Sequence, residues 1–353
     1  MVLIIKSFFA FFLCLNMLSA LFSPLSEAEA DAPGVSAQCA VLSCGGRLVY
    51  EKNADVKMPM ASTTKLMTAI VVLEECALDE VVEIKDEYCG IEGSSMYLRP
   101  GTEKSVEELL MGLLLVSGND AATALACHVS GSEDAFARLM NAKARQIGMN
   151  DSSFVNPHGL SAPGHCSTAA DLARLMEYCM GNEDFARLNS MKNAAVDGTV
   201  LVNHNKLLYN CPGCVGGKTG YTMSAGRCLV SCCERNGGRL VCVTLSAPDD
   251  WNDHMKLYNW GFESCELVEA GNGQSFSVPV ISGEKGEVSL IPEGDTAVFV
   301  PKGSVLEYRA DLPWFVFAPV EKGSRGGKVR VYVDGEPAGE YYLIYSDNIP
   351  LRP

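Results

Sequence analysis

The sequence predicts an α+β fold, in which an antiparallel sheet is flanked by helices and carries a helical subdomain, followed by a small all-β domain. Strand-like runs at 36–50 and 214–247 enclose a long region of helical periodicity. From about residue 265 the composition changes to short strands separated by Gly, Pro and Asp. The 353 residues suffice for one large domain and one small domain.

Turn residues and periodicity place the individual elements. The first strand pair turns at Gly45-Gly46, and Asn236-Gly237-Gly238 is a strong hairpin signal between two later strands. Helices are predicted over 62–75, 105–116, 119–130, 133–147, 168–181 and about 250–262. The strands expected after residue 265 have the sequences SFSVPVI, VSLI, TAVFV, WFVFAPV, KVRVYV and GEYYLIY. We therefore place a domain boundary between two segments, 31–264 and 265–353.

The first 30 residues have the pattern of an export signal. Lys6 precedes an uncharged stretch rich in Phe and Leu, and Ala28-Glu29-Ala30 has the small-x-small form of a cleavage site. We expect a signal peptide over 1–30 and an exported protein, either secreted or on the cell-wall side of the membrane. The alternative is an uncleaved anchor, which would give the only membrane contact. However, the apolar core before Pro24 is short for a complete span.

Charge and cysteine content limit the classes of partner. The net charge is -15 at pH 7 and no run of Lys or Arg occurs, so a nucleic-acid surface is not expected. Cys211-Pro-Gly-Cys214 is the only CxxC among the 15 cysteines, and no second CxxC or nearby His pair completes a zinc set. The sequence therefore predicts neither a metal nor a cofactor. Whether this pair forms a local disulfide stays open.

A lysine stands at the head of an almost wholly apolar helix. In PMASTTKLMTAIVVLEE, residues 59–75, Lys65 follows Ser62 by three positions, which brings both onto one helix face. Burial lowers the pKa of a lysine, and a neutral amine can take the proton of a neighbouring serine. The pair can thus supply a nucleophile and its base without histidine. The alternative is a helix-capping serine beside a lysine whose amine reaches solvent.

Two further polar clusters suit a peptide substrate. Ser117-Gly118-Asn119 lies between two apolar helices, where buried polar groups need partners. Lys218-Thr219-Gly220, on the strand beside the hairpin, offers a cation, a hydroxyl and close backbone approach to a peptide that ends in a carboxylate. A second S-x-x-K at 282–285 has no helix after it, and an S-D-N at 346–348 comes in the wrong order, so both are discounted.

S-x-x-K, S-x-N and K-T-G in this order resemble the signature of penicillin-binding proteins and serine β-lactamases. The longer segments GSSMYLRPG, LLLVSGNDAA, MNAKARQIGMNDSSFVNPHGL, HCSTAADLARLM and GGKTGYT are similar to the low-molecular-weight penicillin-binding proteins, which are serine D-alanyl-D-alanine carboxypeptidases. The resemblance covers roughly 40–263. It implies a β-lactamase/transpeptidase-like fold, removal of the terminal D-Ala from peptidoglycan pentapeptides without a cofactor, and inhibition by β-lactam antibiotics.

The resemblance also implies a role for each motif residue. Ser62 would attack the carbonyl between two terminal D-alanines and form an acyl-enzyme. Lys65 would take the serine proton, and Ser117 would relay a proton to the leaving amine. The backbone N–H groups of Ser62 and Tyr221 would form the oxyanion hole. The implied substrate-binding residues are Asn119, Lys218, Thr219, Gly220 and Tyr221.

One position departs from the family pattern. Relatives often carry a basic residue about ten positions before the aromatic residue of the W/Y-G-F element, and it helps to bind the substrate carboxylate. This chain has Asp249 and Asp250 in that neighbourhood. Binding of the carboxylate is therefore expected to rest more on Lys218, or on Arg227.

Three other functions stay open on the sequence. A β-lactamase would need a carboxylate to activate water, and Glu177 and Glu183 are the candidates. An endopeptidase would use the same groups to cut cross-links, and a non-catalytic cell-wall-binding protein would keep only the fold. His158 and His165 are predicted to have loop-structural or cleft-lining roles, because they fit no triad and the chain has no G-x-S-x-G elbow. Asp171 is predicted to be a structural hydrogen-bond partner rather than a base.

Overall fold

A computed structural model describes residues 32–271, 274–294 and 296–353, so the predicted signal peptide lies outside the described residues. Within those three ranges, no helix is long and apolar enough to cross a membrane.

The strands before residue 264 are β1 Cys39–Cys44, β2 Arg47–Lys52, β3 Val81–Glu83, β4 Glu103–Ser105, β5 Asn193–Val196, β6 Thr199–Val202, β7 Cys214–Thr222, β8 Gly226–Arg235 and β9 Gly238–Leu245. The helices are α1 Lys65–Glu75, α2 Val106–Leu115, α3 Asn119–Ser130, α4 Glu133–Gln146, α5 Ala169–Met180, α6 Glu183–Asn189, α7 Leu207–Asn210 and α8 Asp250–Ser264. The described part of the chain also has two 3-10 helices, Ala61–Thr64 and Asp86–Tyr88.

Five antiparallel strands form the central sheet in the order β2-β1-β9-β8-β7. The β8–β9 hairpin turns at Asn236 and Gly237, whose φ angles of 52° and 80° suit the tight hairpin turn that the sequence predicts. Helix α5 packs on one face of this sheet and α8 on the other. Cys232 and Cys233 therefore belong to apolar cores on opposite faces, because successive side chains of a strand alternate.

Helix α1 lies at the centre of the helical subdomain, in contact with α2, α3, α4, α5 and α6. Its residues from Lys65 to Val72 are all buried, which explains the missing polar face in the sequence. Helix α2 begins at a capping box, in which Ser105 and Glu108 each satisfy the backbone N–H of the other. The six predicted helices agree with the observed ones within three residues. The sequence missed α6 and the β5–β6 hairpin, which are too short for a clear periodicity.

The chain after α8 is all β. Its strands are β10 Cys265–Glu269, β11 Phe276–Ile281, β12 Glu287–Pro292, β13 Ala297–Pro301, β14 Leu306–Asp311, β15 Val316–Phe317, β16 Arg325–Val333 and β17 Glu336–Tyr345. Six of them form one sheet in the order β14-β16-β17-β12-β11-β15, and β10 pairs with β13. Phe299 of β13 packs against Phe262 of α8, with 5.8 Å between ring centroids. The predicted fold class, an α+β fold followed by a small all-β domain, is confirmed.

Candidate active site

Ser62 and Lys65 meet at the start of α1. The 3-10 helix Ala61–Thr64 runs directly into α1, and the Lys65 Nζ lies 3.0 Å from the Ser62 Oγ. Ser62 is half-buried and makes no helix cap through its side chain, so the capping alternative is not supported. Lys65 is fully buried, so its amine does not reach solvent.

The surroundings of Lys65 favour a neutral amine. Besides the serine hydroxyl, its Nζ contacts the Asn119 Oδ1 at 2.7 Å and the backbone carbonyl of His158. Each of these three oxygens is uncharged. Burial, followed by the nearby Lys218, lowers the pKa of Lys65 well below that of a free lysine, while Asp120 partly offsets this shift.

Ser117 and Asn119 lie in the sharp junction between α2 and α3. Ser117 has a φ of 62° and is 4% exposed, so the backbone turns abruptly just where its hydroxyl faces the cleft. The Asn119 amide nitrogen donates to the backbone carbonyl of Glu92, which fixes the orientation of the carboxamide. The Asn119 oxygen is thereby directed at Lys65.

Strand β7 brings Lys218, Thr219 and Gly220 beside the 3-10 helix that carries Ser62. A Cβ on Gly220 would lie 3.0 Å from the Ser62 backbone N and 3.1 Å from the Met60 carbonyl oxygen. A glycine therefore lets this strand approach the serine turn closely. Lys218 is 1% exposed and donates to the Thr219 carbonyl over 2.8 Å. Burial lowers the pKa of Lys218 to about 7.

The three motifs surround one cleft with a volume of about 510 Å³. Its lining residues are Ser62, Ser94, Ser117, His204, Thr219, Gly220, Tyr221, Arg227, Asp250 and Trp251. The exposed Tyr221 side chain extends from β7 at its edge. Lys65, Asn119 and Lys218 stand behind this lining. The structure thus brings all eight predicted site residues to one place.

A salt bridge at the cleft wall was not predicted as a pair. The Arg227 Nη2 lies 2.5 Å and its Nε 3.1 Å from the same Asp250 oxygen, and the guanidinium lies 5.7 Å from the centre of the Trp251 ring. The Arg227 side chain is 42% exposed, whereas that of Asp250 is 4% exposed. The guanidinium is therefore held from behind while one side of it faces the cleft.

The histidines near the serine support the backbone. Burial, followed by the charges of His158 and Lys65, lowers the pKa of His165 to about 4. The His165 Nδ1 accepts from the Val155 backbone N–H at 3.0 Å, and its Nε2 pairs with the Thr64 hydroxyl. His158 contributes its backbone carbonyl to Lys65. These contacts match the structural roles that the sequence predicts.

The acidic residues considered for other roles lie elsewhere. The Glu177 carboxylate bonds to the Ser43 hydroxyl and the Gly46 N–H at the β1–β2 turn, and Glu183 stands in the first turn of α6. Neither lines the cleft around Ser62. Asp171 accepts from the Asp151 backbone N–H and the Ser152 hydroxyl, which is a structural role.

Sequence reasoning missed a supporting residue next to Asn119. The carboxylate of Asp120 is 1% exposed and accepts from the Ser95 hydroxyl at 2.6 Å and from the Met96 and Leu98 backbone N–H groups. It thereby fixes the loop that lines the cleft at Ser94. Its position within SGND was a usable signal, because an ionised group between apolar helices requires several hydrogen-bond partners.

Comparisons with known proteins agree with this geometry. The family D-alanyl-D-alanine carboxypeptidase (Peptidase S11) matches residues 26–249, and the penicillin-binding protein 5 C-terminal domain matches residues 262–351. The chain is 33% identical to D-alanyl-D-alanine carboxypeptidase DacC of Escherichia coli K12, over 93% of this chain and 89% of that protein. It is 30% identical to DacF of Bacillus subtilis, over 93% of this chain and 91% of that protein. The crystal structure of penicillin-binding protein 5 from Haemophilus influenzae matches with a TM-score of 0.68 at 30% identity, over 90% of this chain and 98% of that chain.

These similarities extend over both parts of the chain, and the three motifs that carry them meet at one cleft. The protein therefore belongs to the D-alanyl-D-alanine carboxypeptidases of the Peptidase S11 family.

Proposed function

We propose that this serine-type D-alanyl-D-alanine carboxypeptidase works through Ser62 as its nucleophile and Lys65 as the base. The observation that carries the proposal is the 3.0 Å contact between the serine hydroxyl and a buried amine surrounded by uncharged oxygens. A neutral Lys65 has two N–H groups and one lone pair. The N–H groups donate to Asn119 and His158, which leaves the lone pair for the Ser62 hydroxyl proton.

Proton transfer, cleavage of the peptide bond and hydrolysis of the acyl-enzyme then follow one another. The Ser62 Oγ attacks the carbonyl between the two terminal D-alanines while Lys65 accepts its proton. The N–H groups of Ser62 and Tyr221 stabilise the oxyanion. A proton passes through the Ser117 hydroxyl to the leaving amine, D-alanine departs, and water hydrolyses the acyl-enzyme. A β-lactam follows the same first step and forms an adduct on Ser62.

The terminal carboxylate of the substrate requires cations in the cleft. Lys218 and Thr219 bind it from β7, next to Gly220, while Asn119 orients the peptide chain. The unliganded Lys218, with a pKa of about 7, loses charge at alkaline pH. The Arg227 guanidinium lines the cleft and its planar N–H groups suit a carboxylate, so we propose it as the second carboxylate-binding cation.

Substituting Arg227→Gln should raise KM for peptides that end in a D-Ala carboxylate by about 10- to 100-fold, since a charged hydrogen bond is lost. The effect should grow as the pH rises above 7, because Lys218 then loses its own charge. The measurement compares steady-state kinetics on a peptide that ends in a free D-Ala carboxylate with kinetics on the same peptide carrying a terminal amide. The amide substrate is the matched control, and an equal loss on both substrates would contradict a role in carboxylate binding.

The substrate class is tested by product analysis. A pentapeptide ending in D-Ala-D-Ala should release one D-alanine, whereas a cross-linked peptide dimer should remain intact. Faster cleavage of the dimer would establish an endopeptidase. Rapid turnover of penicillin without a lasting adduct would establish a β-lactamase, and binding to cell wall without any adduct would indicate a non-catalytic protein.

Residues 1–30 are proposed as the signal peptide, 31–264 as the catalytic domain and 265–353 as a domain that positions it. The boundary proposed at 264/265 coincides with the end of α8. Export would place the enzyme on the cell-wall side of the membrane, where peptidoglycan pentapeptides are found. Intact mass measurement of the purified protein gives the processed N-terminus directly.

A further inference from the structure

Three side chains of metal-binding type converge on the surface, outside the cleft. Cys76 directly follows α1, Glu80 precedes β3, and His128 stands in the last turn of α3. One ligand atom from each lies within 4.8 Å of the others. The His128 Nε2 and the Glu80 Oε2 are 3.2 Å apart. Nothing in the serine chemistry uses these groups.

Hydrogen bonds hold the backbone at Cys76 and Glu80, and His128 lies within helix α3. The Cys76 N–H donates to the Val72 carbonyl at 2.9 Å, and the Glu80 carbonyl accepts from the Val106 N–H at 2.9 Å. The Glu80 Oε1 accepts from the Ala77 N–H at 2.6 Å, which leaves its Oε2 directed at His128. The cluster therefore rests on fixed elements, and its geometry is preorganised.

The separations fit a tetrahedral ion. Zn²⁺ binds imidazole nitrogen and carboxylate oxygen at about 2.0–2.2 Å and thiolate sulfur at about 2.3 Å, which puts neighbouring ligand atoms roughly 3.3–3.6 Å apart. The nitrogen–oxygen separation of 3.2 Å is close to the lower end of this range, and the limit of 4.8 Å leaves the thiol within a small side-chain rotation. Mg²⁺ and Ca²⁺ prefer all-oxygen sets, so a thiol and an imidazole point to zinc.

We propose that Cys76, Glu80 and His128 form a zinc-binding site, with water as the fourth ligand. The half-exposed carboxylate and the partly exposed imidazole give the ion and the water access from solvent. Binding displaces the thiol proton of Cys76 to solvent. The proton between the His128 Nε2 and the Glu80 Oε2 moves to the His128 Nδ1 when the imidazole is neutral, or to solvent when it is protonated, and the metal takes its place.

The position of the site indicates what zinc would do. The N-terminal ends of α1 and α3 are joined by the contact between Lys65 and Asn119, and Cys76 and His128 lie at the opposite ends of the same helices. The 11 residues of α1 span about 16 Å, so the ion is remote from Ser62. Zinc would therefore clamp the two helices that carry the active-site residues without taking part in the chemistry.

The test is a zinc titration of the full-length, chelator-stripped protein under reducing conditions, with a competing chromophoric chelator. We expect one equivalent of zinc, and a loss of affinity of more than about 10-fold in Cys76→Ser and in His128→Ala, since even an outer-shell partner can contribute that much. Cys89→Ser and Glu75→Gln are matched controls that should bind like the parent. Cobalt should give a thiolate charge-transfer band that disappears only in Cys76→Ser.

Equal zinc affinity in Cys76→Ser, His128→Ala and both controls would overturn the proposal, as would cobalt binding without a thiolate band in the parent. A zinc-dependent rise in the thermal unfolding midpoint that is lost in the two variants would support the clamp. Penicillin labelling of Ser62 should stay within twofold of the parent in every variant. That readout separates the metal site from the proposed catalytic mechanism and confirms that each variant is folded.

Discussion

Ser62→Ala should abolish both D-alanine release and the formation of a penicillin adduct, with a loss in kcat of more than about 10⁴-fold. The reason is that, among the described residues lining the cleft, no other serine hydroxyl lies against a buried neutral amine. Ser94 and Ser117 also line the cleft, but the Lys65 Nζ contacts only Ser62 among the three serines. In the resting protein the hydroxyl contacts the Lys65 Nζ at 3.0 Å and the His158 carbonyl only at 3.5 Å, so stability should change by about 1 kcal/mol or less.

The chain contains its own control for this experiment. Ser282 and Lys285 repeat the S-x-x-K spacing, but they lie in a turn of the C-terminal domain, where Lys285 is 3.7 Å from Asp347. Ser282→Ala should therefore react like the parent. Mass spectrometry of penicillin-treated protein measures both variants at once. An adduct that persists in Ser62→Ala, or disappears in Ser282→Ala, would refute the assignment.

The local part of the site was accessible from sequence because helical spacing determines it. Ser62 and Lys65 are three residues apart within one continuous helical segment, so their contact follows from the pattern once the segment is recognised as helical. The same holds for the hairpin at Asn236 and for the bounds of the longer helices. Periodicity and turn chemistry are short-range properties, and these elements depend mainly on them.

Contacts between distant residues were not accessible in the same way. Arg227 and Asp250 are separated by a whole hairpin, and their pairing depends on where α8 begins relative to β8. Cys76, Glu80 and His128 meet only because α1 and α3 pack side by side. The sequence showed Asp250 as a departure from the family pattern, whereas the structure shows that it orients an arginine within the same cleft. Tertiary packing determines such pairs, and a single sequence does not record it.

Lys65→Arg and Lys65→Met should each slow the acylation of Ser62 by about 10²- to 10⁴-fold, the contribution expected of a general base. Arginine keeps the charge but cannot give up its proton, whereas methionine approximates the length of the side chain and removes the nitrogen. If Lys65 acted as a fixed cation, the arginine variant would retain much of the rate and the methionine variant would not. Circular dichroism should accompany both measurements, because residue 65 is fully buried.

The same lysine predicts how the parent enzyme responds to pH. Its pKa is lowered by burial and by Lys218, so the neutral form becomes dominant at a pH well below the 10.5 of a free lysine. The acylation rate at saturating β-lactam should therefore rise with pH and level off before pH 10.5. Saturation matters because the bound carboxylate keeps Lys218 charged, so that titration of Lys218 does not distort the curve. A rate that falls as pH rises from 6 would mean that the charged form of Lys65 is the active one, and the base would have to be sought elsewhere.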